Sequence, residues 1–196
     1  MDSHIISRSP QLTISQPMVM CYNQGMNNND ILIRLRYTFD IKDSDMLHIF
    51  ELGGLTLSLD ELRLIMKKQE LDTERDQALS REDLERFLNG FIISQRGVKV
   101  DKDGQALPAT FDMISDALIN NVTIKKLKIA MTYTTDHLQD FLAQAGKTVS
   151  SSELSAILRN KDHRNYKPVG DQILRNLLKG MALEYRGKGN VSDRKS

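Results

Sequence analysis

Apolar residues in this chain recur at intervals of three and four and never settle into strict alternation. Ile31, Leu32, Leu35 and Phe39 fall at i, i+1, i+4 and i+8, which is one face of a helix. Met46, Ile49 and Phe50 form a second such face, Leu62, Ile65 and Met66 a third, and Leu84, Phe87 and Leu88 a fourth. The series then begins again: Thr123, Ile124, Leu127 and Met131; Leu138, Phe141 and Leu142; Leu154, Ile157 and Leu158; Leu174, Leu177 and Leu178. An ungapped offset of 92 residues carries one series onto the other as far as Glu70 and Asp162. An offset of 90 matches the last helices, residues 81–97 (REDLERFLNGFIISQRG) and 171–187 (DQILRNLLKGMALEYRG). The pattern predicts an all-α protein of two tandem pseudo-symmetric four-helix repeats packed on each other, about eight helices. The lack of alternating Val/Ile/Thr runs argues against a sheet.

Polar residues punctuate both series at matching places. Asn28-Asn29 and Asn120-Asn121 suit the start of the first helix, and Asp43-Ser44-Asp45 and Thr135-Asp136 the start of the second. Gly54 and Gly146 suit a left-handed helix end. Ser58 with Glu61, and Ser150 with Glu153, read as capping boxes opening the third helix. Ser80 with Asp83, and Asp171, are placed to cap the fourth. Gly90 and Gly180 stand mid-helix, where glycine costs about 1 kcal/mol against alanine. The same cost at the same place in both repeats implies a neighbouring helix too close for a Cβ.

The repeats span residues 27–97 and 119–187. Before them lies a Ser-, Gln-, Met- and Asn-rich segment, 1–26, expected to be a disordered leader, with Met26 as the expected natural start. A connector, 98–118, reads as a loop followed by a short amphipathic turn carrying Phe111, Met113, Ile114, Ala117 and Leu118. A polar tail, 188–196, is expected to fray. The repeats differ most in the loop before the fourth helix, residues 71–79 against 161–170, where the change of offset from 92 to 90 makes the second repeat two residues shorter.

Composition narrows the function classes. Cys21 is the only cysteine of 196 residues, which excludes an intramolecular disulfide and any four-cysteine metal site and fits a reducing compartment. No apolar run approaches the ~18 residues needed to span a membrane, so a cytoplasmic protein without membrane contact is expected. The net charge of +1 conceals an asymmetry: residues 27–97 hold 10 Lys/Arg and 14 Asp/Glu, and residues 119–187 hold 11 and 6. Opposite charges on the halves favour their docking, or leave a basic face for an anionic partner.

The opening Asn-Asn-Asp-Ile-Leu at 28–32, Phe87-Leu88-Asn89-Gly90 with Arg96-Gly97, and Lys161-Asp162-His163 with Gly170-Asp171-Gln172 and Leu174-Arg175 together resemble the bacterial YehS-like family. That family is built from two tandem copies of the domain of unknown function numbered 1456, and the resemblance covers about residues 27–187. It implies the two-repeat helical fold and implies no activity. Val169 stands where the family leads one to expect a cysteine, so no thiol role carries over.

No catalytic constellation, metal site or cofactor motif emerges. His48, His137 and His163 lack metal-ligand spacing, and no Gly-x-Ser-x-Gly, Walker loop or dinucleotide fingerprint occurs. Asp162, His163 and Asp171 are expected to form a polar cluster that orders a loop. The leading expectation is a non-enzymatic protein-interaction or regulatory module whose contact surface is His163, Arg164, Tyr166, Lys167, Asp171 and Arg175, an aromatic anchor among charges. The alternative is nucleic-acid binding. The second helix, glycine turn and third helix of each repeat make helix-turn-helix-like units at 44–68 and 136–160, and Lys125, Lys126, Lys128, Arg159 and Lys161 supply the basic half. A small-molecule sensor binding between the halves is a third class.

Overall fold

The computed structural model describes residues 25–67 and 78–187. Eight α-helices follow the apolar faces among these residues: α1 Asn28–Phe39, α2 Asp43–Leu52, α3 Leu59–Met66, α4 Arg81–Arg96, α5 Ile119–Ala130, α6 Thr135–Gln144, α7 Ser151–Ile157 and α8 Asp171–Gly187. The only extended pairing among them is one isolated bridge, Val100 to Ala106, closing a turn in the connector. Most of the expected leader, residues 68–77 of the first loop and the whole tail lie outside the described residues.

The apolar faces are the core. Phe39, Met66, Met131 and Leu158 are partly buried, and every other residue of the eight faces is buried. Within each repeat the second helix lies along the fourth, α2 on α4 and α6 on α8. The first helix of each repeat, however, packs mainly on the fourth helix of the other, α1 on α8 and α5 on α4. The repeats therefore interlock, and neither encloses its own apolar face alone.

The matched features of the fourth helices account for this packing. A Cβ on Gly90 would stand 1.8 Å from the Ile49 carbonyl oxygen, and one on Gly180 would stand 1.7 Å from that of Phe141. Ile49 and Phe141 are equivalent positions, so both repeats bring a helix backbone against the glycine, as its mid-helix placement predicts. The closing arginines reach across to the other repeat. Arg96 Nη1 donates to the Ile129 carbonyl at 3.1 Å, and Arg186 Nε donates to the Tyr37 carbonyl while its guanidinium pairs with Asp40. Tyr37 and Ile129 are again equivalent. Each arginine thus satisfies a last-turn carbonyl of the other repeat's first helix, where positive charge is favoured.

Several expected caps fall elsewhere. Asn27, one residue earlier than expected, caps α1 reciprocally with Asp30, and α5 starts with no side-chain cap. The asparagine pairs consequently lie inside the first turn, where side chains tilt back toward the N-terminus and reach the loop before the fourth helix. Asn29 Nδ2 donates to the Ile65 carbonyl (2.8 Å) and its oxygen accepts from Leu79 N–H (2.9 Å). Asn121 repeats this with Ile157 (2.9 Å) and Val169 (2.9 Å). Asn28 and Asn120 add the Leu79 and Val169 carbonyls, each at 3.0 Å. Both repeats therefore clamp the residue two positions ahead of the fourth helix by its two backbone groups.

Asp43 is the first residue of α2 and pairs with Arg36, while Thr134, not Thr135, caps α6 with His137. Ser58 and Glu61 form the full capping box, whereas Ser150 caps α7 alone because Glu153 pairs with Lys167. Asp171, the first residue of α8, accepts from Met26 N–H at 2.7 Å and from Asn120 at 2.8 Å. Met26 is thus buried against the second repeat and not part of a loose leader.

Candidate interaction site

The connector is fastened to the interface between α4 and α5 by a buried ion pair that the sequence did not disclose. Glu85 and Lys126 approach to 3.2 Å with their side chains 2% and 4% exposed. The Glu85 carboxylate accepts from the amides of Asp112 (2.6 Å) and Met113 (2.8 Å), and Lys126 Nζ donates to Asn89 (2.5 Å) and to the Thr110 carbonyl (2.9 Å). Asn89 donates to the same carbonyl at 3.0 Å. Burial pulls the Lys126 pKa down against the opposing pull of Glu85. Lys126 is therefore spent inside the molecule and is unavailable to phosphate, contrary to the expectation that it lies on an outer basic face. A buried pair contributes little net stability, but either partner left alone is costly, which fixes which helices meet.

Pinning residues 110–113 from one side decides what the connector shows to solvent. Met113 turns into the core, while Phe111 and Ile114 are left 44% and 64% exposed, and Ala117 is exposed too. The expected amphipathic turn shrinks to the 3-10 turn Asp116–Leu118. Phe111 lies under Arg86, whose guanidinium carbon is 5.3 Å from the ring centre.

Across from this strip, Asn121 also bonds the Lys167 carbonyl (2.8 Å) and draws the loop of residues 158–170 against α5. A cleft of about 120 Å³ results. Its walls include Ile114, Leu118, Val122, Ile157 and Tyr166, and Lys125, Arg159 and Lys161 stand among its lining. The Tyr166 hydroxyl is buried there without a hydrogen-bond partner among the described residues, and burial raises its pKa.

The interaction residues expected from sequence are not gathered in one place. Tyr166 alone of the six lines the cleft. His163 orders its own turn, accepting the Asn165 amide on Nδ1 (3.0 Å), and Arg164 is exposed beside it. Lys167 is held by Glu153, Asp171 by Asn120 and Met26, and Arg175 lies half-buried on α8. The expected cluster of Asp162, His163 and Asp171 does not form, because Asp162 pairs with Lys161 (3.0 Å) and the other two bond elsewhere. Of the basic set, Lys125, Arg159 and Lys161 meet at the cleft, and Lys128 is half-buried on α5. Arg159 and Lys161 lie beyond the end of the seven-residue α7, and Ser151 at its start donates to Gln139 at 2.9 Å. Phe111 and Ile114 were visible in the sequence as apolar residues, but only the pinning of the connector shows them to be outside.

Among the described residues, no three His, Cys, Asp or Glu side chains are grouped to hold a metal ion, and no helix is long and apolar enough to cross a membrane. Fold and site together define an all-α protein of two interlocked helical repeats, with a buried ion pair at the joint and an apolar cleft edged by cations beside it. The chain belongs to the family described as "Protein of unknown function (DUF1456)", whose model matches residues 28–97 and again 120–187. It is 33% identical over 163 residues to the "Uncharacterized protein YehS" of Escherichia coli (strain K12), covering 83% of this chain and 99% of that relative. No solved structure matches the chain.

Proposed function

We propose that this protein is a non-enzymatic interaction module that receives an apolar side chain of a protein partner in the cleft beside Phe111, with carboxylates of the partner meeting Lys125, Arg159 and Lys161. The observation that carries the reading is the exposure of Phe111 and Ile114 next to a cation-edged cleft. Water-facing apolar side chains grouped beside a concave surface are the usual mark of a docking site. A rim in which Lys125, Arg159 and Lys161 outnumber Asp112 favours acidic partners and speeds their encounter. Affinity capture from cells with the wild type and with Phe111→Ser combined with Ile114→Asp tests it. Both positions are solvent-exposed, so the variant keeps its helical circular dichroism. Partners lost in the variant and retained after nuclease treatment support the reading; identical partner sets in the two proteins overturn it.

A second reading draws on the same cleft. Two aromatic rings, Phe111 and Tyr166, lining one cleft with three cations are also the makings of a stacking platform for single-stranded nucleic acid. Binding of that kind falls steeply with salt as phosphate counterions are released. Capture that disappears with nuclease favours this alternative, and a flat salt response excludes it.

A further inference from the structure

The repeat symmetry gives the α4–α5 joint a counterpart at the α1–α8 joint, and the two are furnished differently. At the first, the connector crosses without helical structure and is held by its backbone: Lys126 and Asn89 donate to the Thr110 carbonyl, and Glu85 accepts the amides of Asp112 and Met113. At the second, the offsets of 92 and 90 put Arg34 in the place of Lys126, Lys179 in the place of Asn89 and Arg175 in the place of Glu85. A groove of about 380 Å³ runs there between α1 and α8, with Arg34, Tyr37, Lys179, Ala182, Leu183 and Arg186 along it. No carboxylate is among the residues lining it.

From this correspondence we infer that the α1–α8 groove is a binding site for an extended acidic segment of a partner protein, laid across the two helices as the connector is laid across α4 and α5. At the occupied joint one cation and one anion cancel, so a neutral backbone suffices. At the α1–α8 joint the corresponding positions are all cationic, and an occupant of the groove must bring acceptors and negative charge to Arg34 and Lys179, the two of them that line it. Arg34 and Lys179 are exposed and make no ion pair among the described residues, so both are available for this. Arg186 is already committed to Asp40 and the Tyr37 carbonyl, where it braces the end of the groove. Tyr37 and Leu183, 57% and 47% exposed, offer apolar contact between the charges. The site rests on reading the protein as an interaction module but uses a surface distinct from the Phe111 cleft.

The test is a titration of the full chain, isotopically labelled, with a ten-residue peptide of the connector's own sequence, residues 107–116 (LPATFDMISD), followed by NMR amide shifts. A second peptide with both aspartates replaced by lysine is the control. The expected result is saturable shifts at Arg34, Thr38, Leu178, Lys179 and Ala182. Affinity should fall by about tenfold or more for the lysine peptide and for the Arg34→Glu, Lys179→Glu double variant, and should weaken with salt. Absence of shifts at these residues, or equal binding of the two peptides, overturns the proposal. Shifts confined to the surroundings of Phe111 and Tyr166 overturn it while leaving the interaction-module reading in place. Shifts seen only with residues 25–196 assign the groove to the chain's own residues 1–24 and overturn the partner.

Discussion

Replacing Gly90 or Gly180 by alanine sets two effects against each other, and the structure says which wins. In an open helix the change gains about 1 kcal/mol from intrinsic preference. Here the new Cβ would lie 1.8 Å from the Ile49 oxygen or 1.7 Å from the Phe141 oxygen, while real Cβ atoms essentially never come within 3.0 Å of a neighbour. The obstacle is backbone, so no rotamer relieves it, and the helix pair must separate by more than an ångström. That separation disturbs the last turn of the partner helix, where Ile49 and Phe141 accept from Gly53 (3.1 Å) and Ala145 (3.2 Å). Overpacking on this scale costs about 2–4 kcal/mol after the propensity gain is deducted. In a chain of this size each kcal/mol lowers Tm by about 2–4 °C. Urea unfolding of each variant should therefore show a lower midpoint with an unchanged slope. Gly187→Ala is the control: nothing lies within 4 Å of that Cβ, so it should be neutral or slightly stabilising. Variants at Gly90 and Gly180 that match wild type, or exceed it, refute the close-approach explanation.

Lys126→Met should cost about 3–5 kcal/mol in urea unfolding, because Glu85 is left charged and buried. Adding Glu85→Leu should recover only part of this, since the Asp112 and Met113 amides then lose their acceptor. Asn29→Ala and Asn121→Ala should each destabilise by about 2 kcal/mol, with faster hydrogen exchange at Leu79 and Val169 respectively. Burial and the 2.5 Å contact with Tyr185 push the Tyr133 pKa well above its ordinary 10.0. The folded state then holds a proton that the unfolded state releases above pH 10, so stability should fall as pH rises past that value. Tyr133→Phe should reduce that loss in alkaline urea titrations.

The fold was legible because each of its main signals is local and stated twice. Apolar spacing located eight faces, and a costly glycine at equivalent positions located the tight helix contacts without any knowledge of the partner helix. The exchange of first helices between repeats was not legible, because Ile31 and Leu32 look the same whether they cover their own repeat or the other. Helix starts slipped by a residue at Asn28 and Thr135, since Asn27 and Thr134 are equally good acceptors and only geometry chooses between them. The site was read least well. Lys126 and Arg34 occupy equivalent positions with the same charge, yet one is buried because α4 offers it Glu85 and the other stays exposed on a groove that it shares with Lys179. Sequence places charges on faces of single helices; which of them meet depends on the pairing between helices.

The first helix of each repeat completes the core of the other. Producing residues 25–97 and 98–187 as separate chains, and following helicity and mass alone and after mixing, tests it most directly. Neither fragment should fold as a stable monomer, and a one-to-one mixture should recover the helical content and cooperative unfolding of the intact chain. Either fragment folding alone as a stable monomer, with no gain on mixing, contradicts it.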